Sequence, residues 1–258
     1  MMFGISLAEA EKFLLIFVRL SALLVVMPFY GDRGAPVQLR LALAFLLALL
    51  IHPLLPDLRL EPSYRSLFGF SVLFLQSLLA GMIVGFVPLF LFVGIQLGGE
   101  IAGFQMGFGI VSVMDPQNQN RISLIAQLKY LLAFLLFIAL DGHLYLLKGI
   151  VESFRVIPLT GAHFPADVGR SLVRLGSEMF FIGIKIAAPI MATILLTNVG
   201  LGIMARTLPQ MNIFLVGFPL QIGLGLIALA MSVPVFAYVF EKTYHAILLN
   251  WWEMLRAF

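Results

Sequence analysis

The sequence predicts an all-α protein of the integral-membrane type, built from kinked helices and helical hairpins. Three observations predict it. First, 61% of the 258 residues are hydrophobic and only 11% are charged, and the mean hydropathy is +1.05. A soluble domain carries about 25% charged residues, so this chain could not cover a surface facing water; it belongs in lipid, in a large apolar assembly, or in both. Second, the apolar runs approach or exceed the roughly 20 residues that cross a ~30 Å hydrocarbon layer. None alternates with period two, which excludes a transmembrane β-barrel. Third, prolines and glycines fall inside these runs, where they bend helices. There is no cysteine, which excludes disulfides, thiolate metal sites and thiol nucleophiles. The net charge of +3 is scattered and forms no basic stripe, so no nucleic-acid partner is expected.

Taken in order, Phe13–Tyr30 is the first apolar segment, a membrane helix rather than a cleaved signal. Glu9 and Glu11 precede Lys12, Arg19 interrupts the run, and no small-residue cleavage pattern follows. Arg19 and Lys12 lie near a segment end and are expected to snorkel. The second segment is Leu39–Leu55, closed by Pro53 and Pro56, and the short link through Gly31, Gly34 and Pro36 predicts an antiparallel hairpin. Leu67–Leu97 is roughly 46 Å long as a straight helix, too long for one simple span and too short for two. It contains Pro88 and several glycines, and is expected to be one long bent helix. Ile122–Leu140 is the next helix, followed by a turn at Asp141–His143 and a short helix from Leu144 to Val151. Glu152 to Gly176 is moderately polar and irregular in its first half. Met179–Met204, kinked at Pro189, and Ile213–Phe240, interrupted by Gly217, Pro219, Gly223, Gly225 and Pro234, are the last two long segments. They are joined by a turn through Pro209. The tail carries Trp251, Trp252 and Phe258 and suits a membrane interface. With six crossings, most of the lysines and arginines outside the segments fall on the side of both termini, which the positive-inside rule places in the cytoplasm.

The chain is organised around Gly98 to Arg121, a glycine-rich and then polar stretch in the middle of this apolar background. Gly99, Gly103 and Gly107 lie four apart on one helix face, a spacing that lets another backbone approach closely. Each glycine weakens a helix by about 1 kcal/mol relative to alanine, so Gly107 and Gly109 together predict that helix gives way near Gly107. The chain then enters an apolar loop, and such a loop must be buried in protein or face a lumen. Met106, Phe108, Ile110, Val111, Val113 and Met114 fill the gaps between the glycines and beyond them, and methionine and phenylalanine in a mobile loop would make a deformable seal. Glu100, Lys129 and Lys185 are charges inside apolar segments; each is expected to be buried and paired, in the protein or with a partner subunit. A proton-relay role for Glu100 is the sharper alternative.

No enzyme signature is present. His52, His143, His163 and His245 stand alone, and there is no HExxH, P-loop, GxSxG or dinucleotide fingerprint. No cofactor is called for.

Two strings, GEIAGFQMGFGIVSVMDPQ from Gly99 to Gln117 and NVGLGIMARTLPQMNIFLVGFPL from Asn198 to Leu220, carry a resemblance to a known family, with support from DGHLYLL at Asp141 to Leu147. They resemble the FliR family of flagellar export-gate proteins, which is related to the T-subunit of type III secretion systems. The resemblance covers nearly the whole chain. It implies a single export-gate subunit of the bacterial inner membrane and flagellar basal body, with a FliP-like part at residues 1–178 and a FliQ-like hairpin and tail at 179–258. It implies partners FliP and FliQ in a helical hetero-oligomer, FlhB around it, and unfolded export substrates passing through. It also implies that residues 106–120 are the plug loop that holds the pore shut, with Met106, Phe108, Ile110, Val113 and Met114 as sealing side chains, Asp115 and Pro116 turning the chain back, and Gly103, Gly107 and Gly109 allowing the loop to move. It implies too that the assembled helices sit largely above the bilayer plane, which would undercut the positive-inside count. Virulence-system membership and a self-contained secondary transporter are the alternatives.

Overall fold

A computed structural model describes residues 7–27, 36–55, 64, 66–109, 123–160, 162, 164–210, 212–256 and 258. Within them the regular structure is helical. The helices are α1 (Leu7–Val26), α2 (Val37–Ile51), α3 (Leu67–Gln105), α4 (Leu124–Ala139), α5 (Gly142–Val156), α6 (Ala166–Thr207) and α7 (Ile213–Arg256), with one 3₁₀ turn at His52–Leu54. The all-α, membrane-type reading therefore holds. Four of the helices are long and apolar enough to cross a membrane, and five if α4 and α5 count as one bent span, where the sequence suggested six.

The long segments are longer than their composition suggested. Pro88 lies inside α3, Pro189 inside α6, and Pro219 and Pro234 inside α7, and none of them ends its helix. In α6 the Thr193 hydroxyl donates to the Pro189 carbonyl at 2.9 Å, and the Thr197 hydroxyl to the Thr193 carbonyl at 2.8 Å. Both hydroxyls bond back to the carbonyl four residues earlier, as hydroxyls within a helix commonly do; the carbonyl that Pro189 leaves without an amide is that of Lys185. The tail is likewise part of α7 rather than a separate element.

The chain divides into two compact units whose segments interleave along the sequence. The first comprises 1–90, 142–175 and 247–258; the second comprises 91–141 and 176–246.

In the first unit, α1 and α2 form the expected hairpin, with Phe13 packing edge-on against Phe45 at 5.3 Å between centroids. The α3 backbone presses on α1 through two glycines one turn apart. A Cβ on Gly81 would fall onto the Arg19 carbonyl, and one on Gly85 would come within 3.0 Å of the Leu23 carbonyl oxygen. Neither Lys12 nor Arg19 snorkels. The Lys12 ammonium donates to the Leu55 carbonyl at 2.7 Å. Arg19 is 1% exposed. Its guanidinium donates to the carbonyls of Ile157 at 2.7 Å, Pro158 at 3.2 Å and Ser153 at 3.4 Å, and lies over the Phe154 ring at 4.7 Å. Arg19 thus caps the C-terminal end of α5, where a cation meets the negative end of the dipole; it supplies donors to the Ile157 and Pro158 carbonyls just past the helix, while the Ser153 carbonyl also accepts from the Ile157 amide at 2.9 Å.

Trp251 is not at an interface either: it is 1% exposed, and its ring fills the space where Gly149 of α5 lacks a side chain. Phe258 packs edge-on against Phe164 at 5.7 Å. The end of α7 is therefore core for this unit.

The second unit is held by the rest of α3. Gly94 and Gly98 face α6, where an added Cβ would lie 2.8 Å from the Met179 carbonyl oxygen and 2.6 Å from that of Gly183. Gly99 and Gly103 face α4, against Ala126 and Ser123. Phe92 lies in an aromatic cluster with Tyr130, Phe137 and Phe240. Glycines along α3 thus form successive notches, each admitting a different helix.

Candidate functional site: the root of the central loop

The end of α3 has a defined geometry. The Gly107 amide donates to the Phe104 carbonyl at 3.1 Å, and the Phe108 amide to the Gly103 carbonyl at 3.1 Å. Gly107 has φ +91°. This pair of bonds around a left-handed glycine is a Schellman motif. Phe108 packs on the apolar cluster beneath it, the hydrophobic contact that usually accompanies the motif. Helix does give way at Gly107, as Gly107 and Gly109 suggested, and it does so by a bonded stop.

The other side of the stretch is close by. Ser123, immediately before α4, lies against Gly103, and Ala126 lies against Gly99, too near for any side chain at either glycine. The two ends of the chain segment 110–122 are therefore brought together by the α3–α4 contact.

Met106 is completely buried. It sits in a cluster with Ala102 of α3, Ile125 of α4, Ile190 and Ile194 of α6, and Ala228 and Leu229 of α7. Its side chain occupies a notch at Gly225 of α7, where a Cβ would stand 2.6 Å from Met106 Cγ and 2.8 Å from its Cε. Gly107 faces the Phe218 ring of the same helix.

Of the residues the sequence singled out, Gly99, Gly103, Gly107, Met106 and Phe108 come together at this root. Gly99 and Gly103 are closely packed and within helix, so the chain does not bend there. Ile110, Val113, Met114, Asp115 and Pro116 lie outside the described residues.

The three charges part ways. Lys129 is 2% exposed and donates to the Ile186 carbonyl of α6 at 2.8 Å, one turn before Pro189. Glu100 is half-buried and accepts a bond from Gln96 at 3.3 Å. Lys185 is exposed on this chain, although its apolar neighbours suggested burial, because it lies at the edge of an exposed face of α6 with Phe181, Ile184 and Ala188.

Sequence reasoning missed Gly225, Phe218 and Ser123 as parts of the root, and Arg19 as a helix cap. Gly225 was visible as an interruption of the last apolar segment; nothing in its surroundings told that it faces Met106. Among the described residues no group of three or more His, Asp or Glu is placed to hold a metal ion.

The chain belongs to the bacterial export proteins, family 1, whose model matches residues 10–247. Curated relatives carry the name flagellar biosynthetic protein FliR. That of Bacillus subtilis (strain 168) is 33% identical over 239 residues, covering 90% of each chain. Those of Escherichia coli (strain K12) and Aquifex aeolicus (strain VF5) are each 32% identical over 222 residues; the first covers 85% of this chain and 83% of the relative, the second 86% and 84%.

Proposed function

We propose that this chain is a subunit of the flagellar type III protein export gate. In this reading it assembles with FliP and FliQ into the channel for unfolded flagellar export substrates, with FlhB at its outside, in the inner membrane of the basal body. The observation that carries it is the match to the export-protein family over residues 10–247, with relatives named for flagellar biosynthesis. The chain has no chemistry to perform in this role; it supplies a wall and a seal. The stretch from Met106 to Asn120 is the plug, with Phe108, Ile110, Val113 and Met114 as sealing side chains and Asp115–Pro116 as its turn; Met106, expected among the sealing residues, is instead completely buried at its root. Residues 1–178 act as the FliP-like part and 179–258 as the FliQ-like hairpin and tail.

Two structural features support this reading. The residues flanking the proposed plug are held against each other by the Gly99–Ala126 and Gly103–Ser123 contacts. Large apolar side chains also remain exposed along α6 and α7, among them Leu195, Leu196, Ile203, Leu215 and Met231. So much open apolar surface needs lipid or partner subunits to cover it.

Co-expression with FliP and FliQ tests the assembly. The expected result is a detergent-stable particle containing this chain together with both partners. A stable lone chain that joins neither of them, and that transports a solute when purified, would replace this reading with the transporter one.

A further inference from the structure

Among the described residues, Lys129 is the one buried charged side chain of the second unit, 2% exposed. It lies on α4 beside Ile125, Ala126 and Ala133, which are buried as well. A buried ammonium is costly unless it finds an acceptor. Regular helix offers few, because each carbonyl already receives the amide four residues on. Lys129 donates to the Ile186 carbonyl of α6 at 2.8 Å. That carbonyl lies three residues before Pro189, which stands inside α6. Pro189 has no amide to give the Lys185 carbonyl, and its ring crowds that oxygen, so the hydrogen-bond ladder is loosened at this turn. α3 reaches the same turn from another side: a Cβ on Gly98 would stand 2.6 Å from the Gly183 carbonyl oxygen and 3.1 Å from Ile186 Cβ. Glycine has no side chain to serve as a donor there. The donor comes from α4.

From these contacts we infer that Lys129 and Pro189 are two halves of one device: the proline opens the α6 backbone, and the buried ammonium fills the opening and pins α4 to α6. The cation is kept inside an apolar unit for the acceptor that the proline exposes. Replacing Pro189 by alanine returns an amide to the Lys185 carbonyl and tightens the ladder. Lys129 must then compete with the Ile190 amide for its acceptor, and is left as a poorly bonded buried charge. Replacing Lys129 by methionine removes the charge but leaves the opened backbone without its donor. Changing both sets a closed helix against an apolar neighbour.

The test is a double-mutant cycle on the full-length chain in detergent, read as melting temperature. Independent residues in such a cycle give additive effects, and residues sharing one interaction do not. The shift caused by Pro189→Ala is expected to be several degrees more favourable in the Lys129→Met chain than in the parent. Equal shifts in the two backgrounds overturn the inference. Should Lys129→Met fail to fold, Lys129→Gln, which shortens the side chain and removes the charge, takes its place in the cycle with the same expected sign.

A distance measurement separates a pin from mere packing. The parent has no cysteine, so spin labels at Leu128→Cys on α4 and Leu195→Cys on α6, both exposed positions, report the separation of α4 from the half of α6 beyond the proline. The folded parent is expected to give one narrow distribution, and the folded Lys129 variant a broadened or displaced one. A distribution that is unchanged in the variant leaves Lys129 without a pinning role and overturns the inference.

Discussion

Substituting the notch glycines of α3 probes the packing most sharply, because the structure supplies its own controls. A Cβ at Gly99 would fall onto the Ala126 backbone, and one at Gly81 onto the Arg19 carbonyl. Backbone atoms cannot rotate away, so the helix pairs must part by about 1 Å, which forfeits up to about half of each dispersion contact along the seam. Overpacking of this kind costs about 1–3 kcal/mol. Alanine returns about 1 kcal/mol of helix propensity, leaving a net loss of up to about 2 kcal/mol. Gly200 and Gly202 lie within α6 with no atom within 4 Å of where a Cβ would stand. The same substitution there should stabilise by about 0.4–1 kcal/mol. For a chain of this size each kcal/mol moves the melting temperature by about 2–4 °C. In thermal melts of the isolated chain in detergent, Gly99→Ala and Gly81→Ala should melt several degrees lower, and Gly200→Ala and Gly202→Ala should melt no lower than the parent. If all four shift alike, the glycines of α3 are not packing notches and the reasoning fails.

The same physics sets further expectations. Arg19→Met should destabilise strongly, because the carbonyls of Ile157 and Pro158 are left without a donor at about 1–3 kcal/mol each, while that of Ser153 keeps the Ile157 amide; Arg19→Lys should recover only part of this, lacking the planar fork, as denaturant melts of the two variants would measure. Lys129→Met should cost clearly less than Arg19→Met, since it removes a single bond to Ile186 together with a desolvated charge; equal losses in the same melts would contradict the assignment. Trp251→Ala should cost about 3–5 kcal/mol, as for other buried large side chains. The chain has only two tryptophans, so in a Trp252→Phe background the emission of Trp251 should be blue-shifted, and Gly149→Ala should move it to the red.

The fold class was legible because it depends on bulk properties. Low charge and long apolar runs leave helices as the only structure able to satisfy the backbone away from water. The α1–α2 hairpin and the stop at Gly107 were legible too, since each depends on local glycine or proline chemistry.

The lengths of α3, α6 and α7 were not. An intrahelical proline kinks or breaks a helix, but here packing against neighbouring helices holds the chain on both sides of it. The fates of Arg19, Lys185 and Trp251 were hidden for a different reason. A charge or an indole in an apolar run has the same local pattern whether it faces lipid, solvent or core. Only the tertiary partner decides: α5 carbonyls for Arg19, an open face of α6 for Lys185, and Gly149 for Trp251. The site was half legible in the same sense. Gly99, Gly103 and Gly107 announced close approach, while Met106 reads as an apolar loop residue until Gly225 is seen opposite it.

The most direct test of the proposed gate is the ion permeability of cells whose assembled apparatus carries this chain with residues 110–117 removed. The proposal expects the membrane to leak while the assembly retains its partners and its abundance. An assembly of normal composition that remains tight to ions and still exports would contradict it, and the segment between α3 and α4 would have to be given another role.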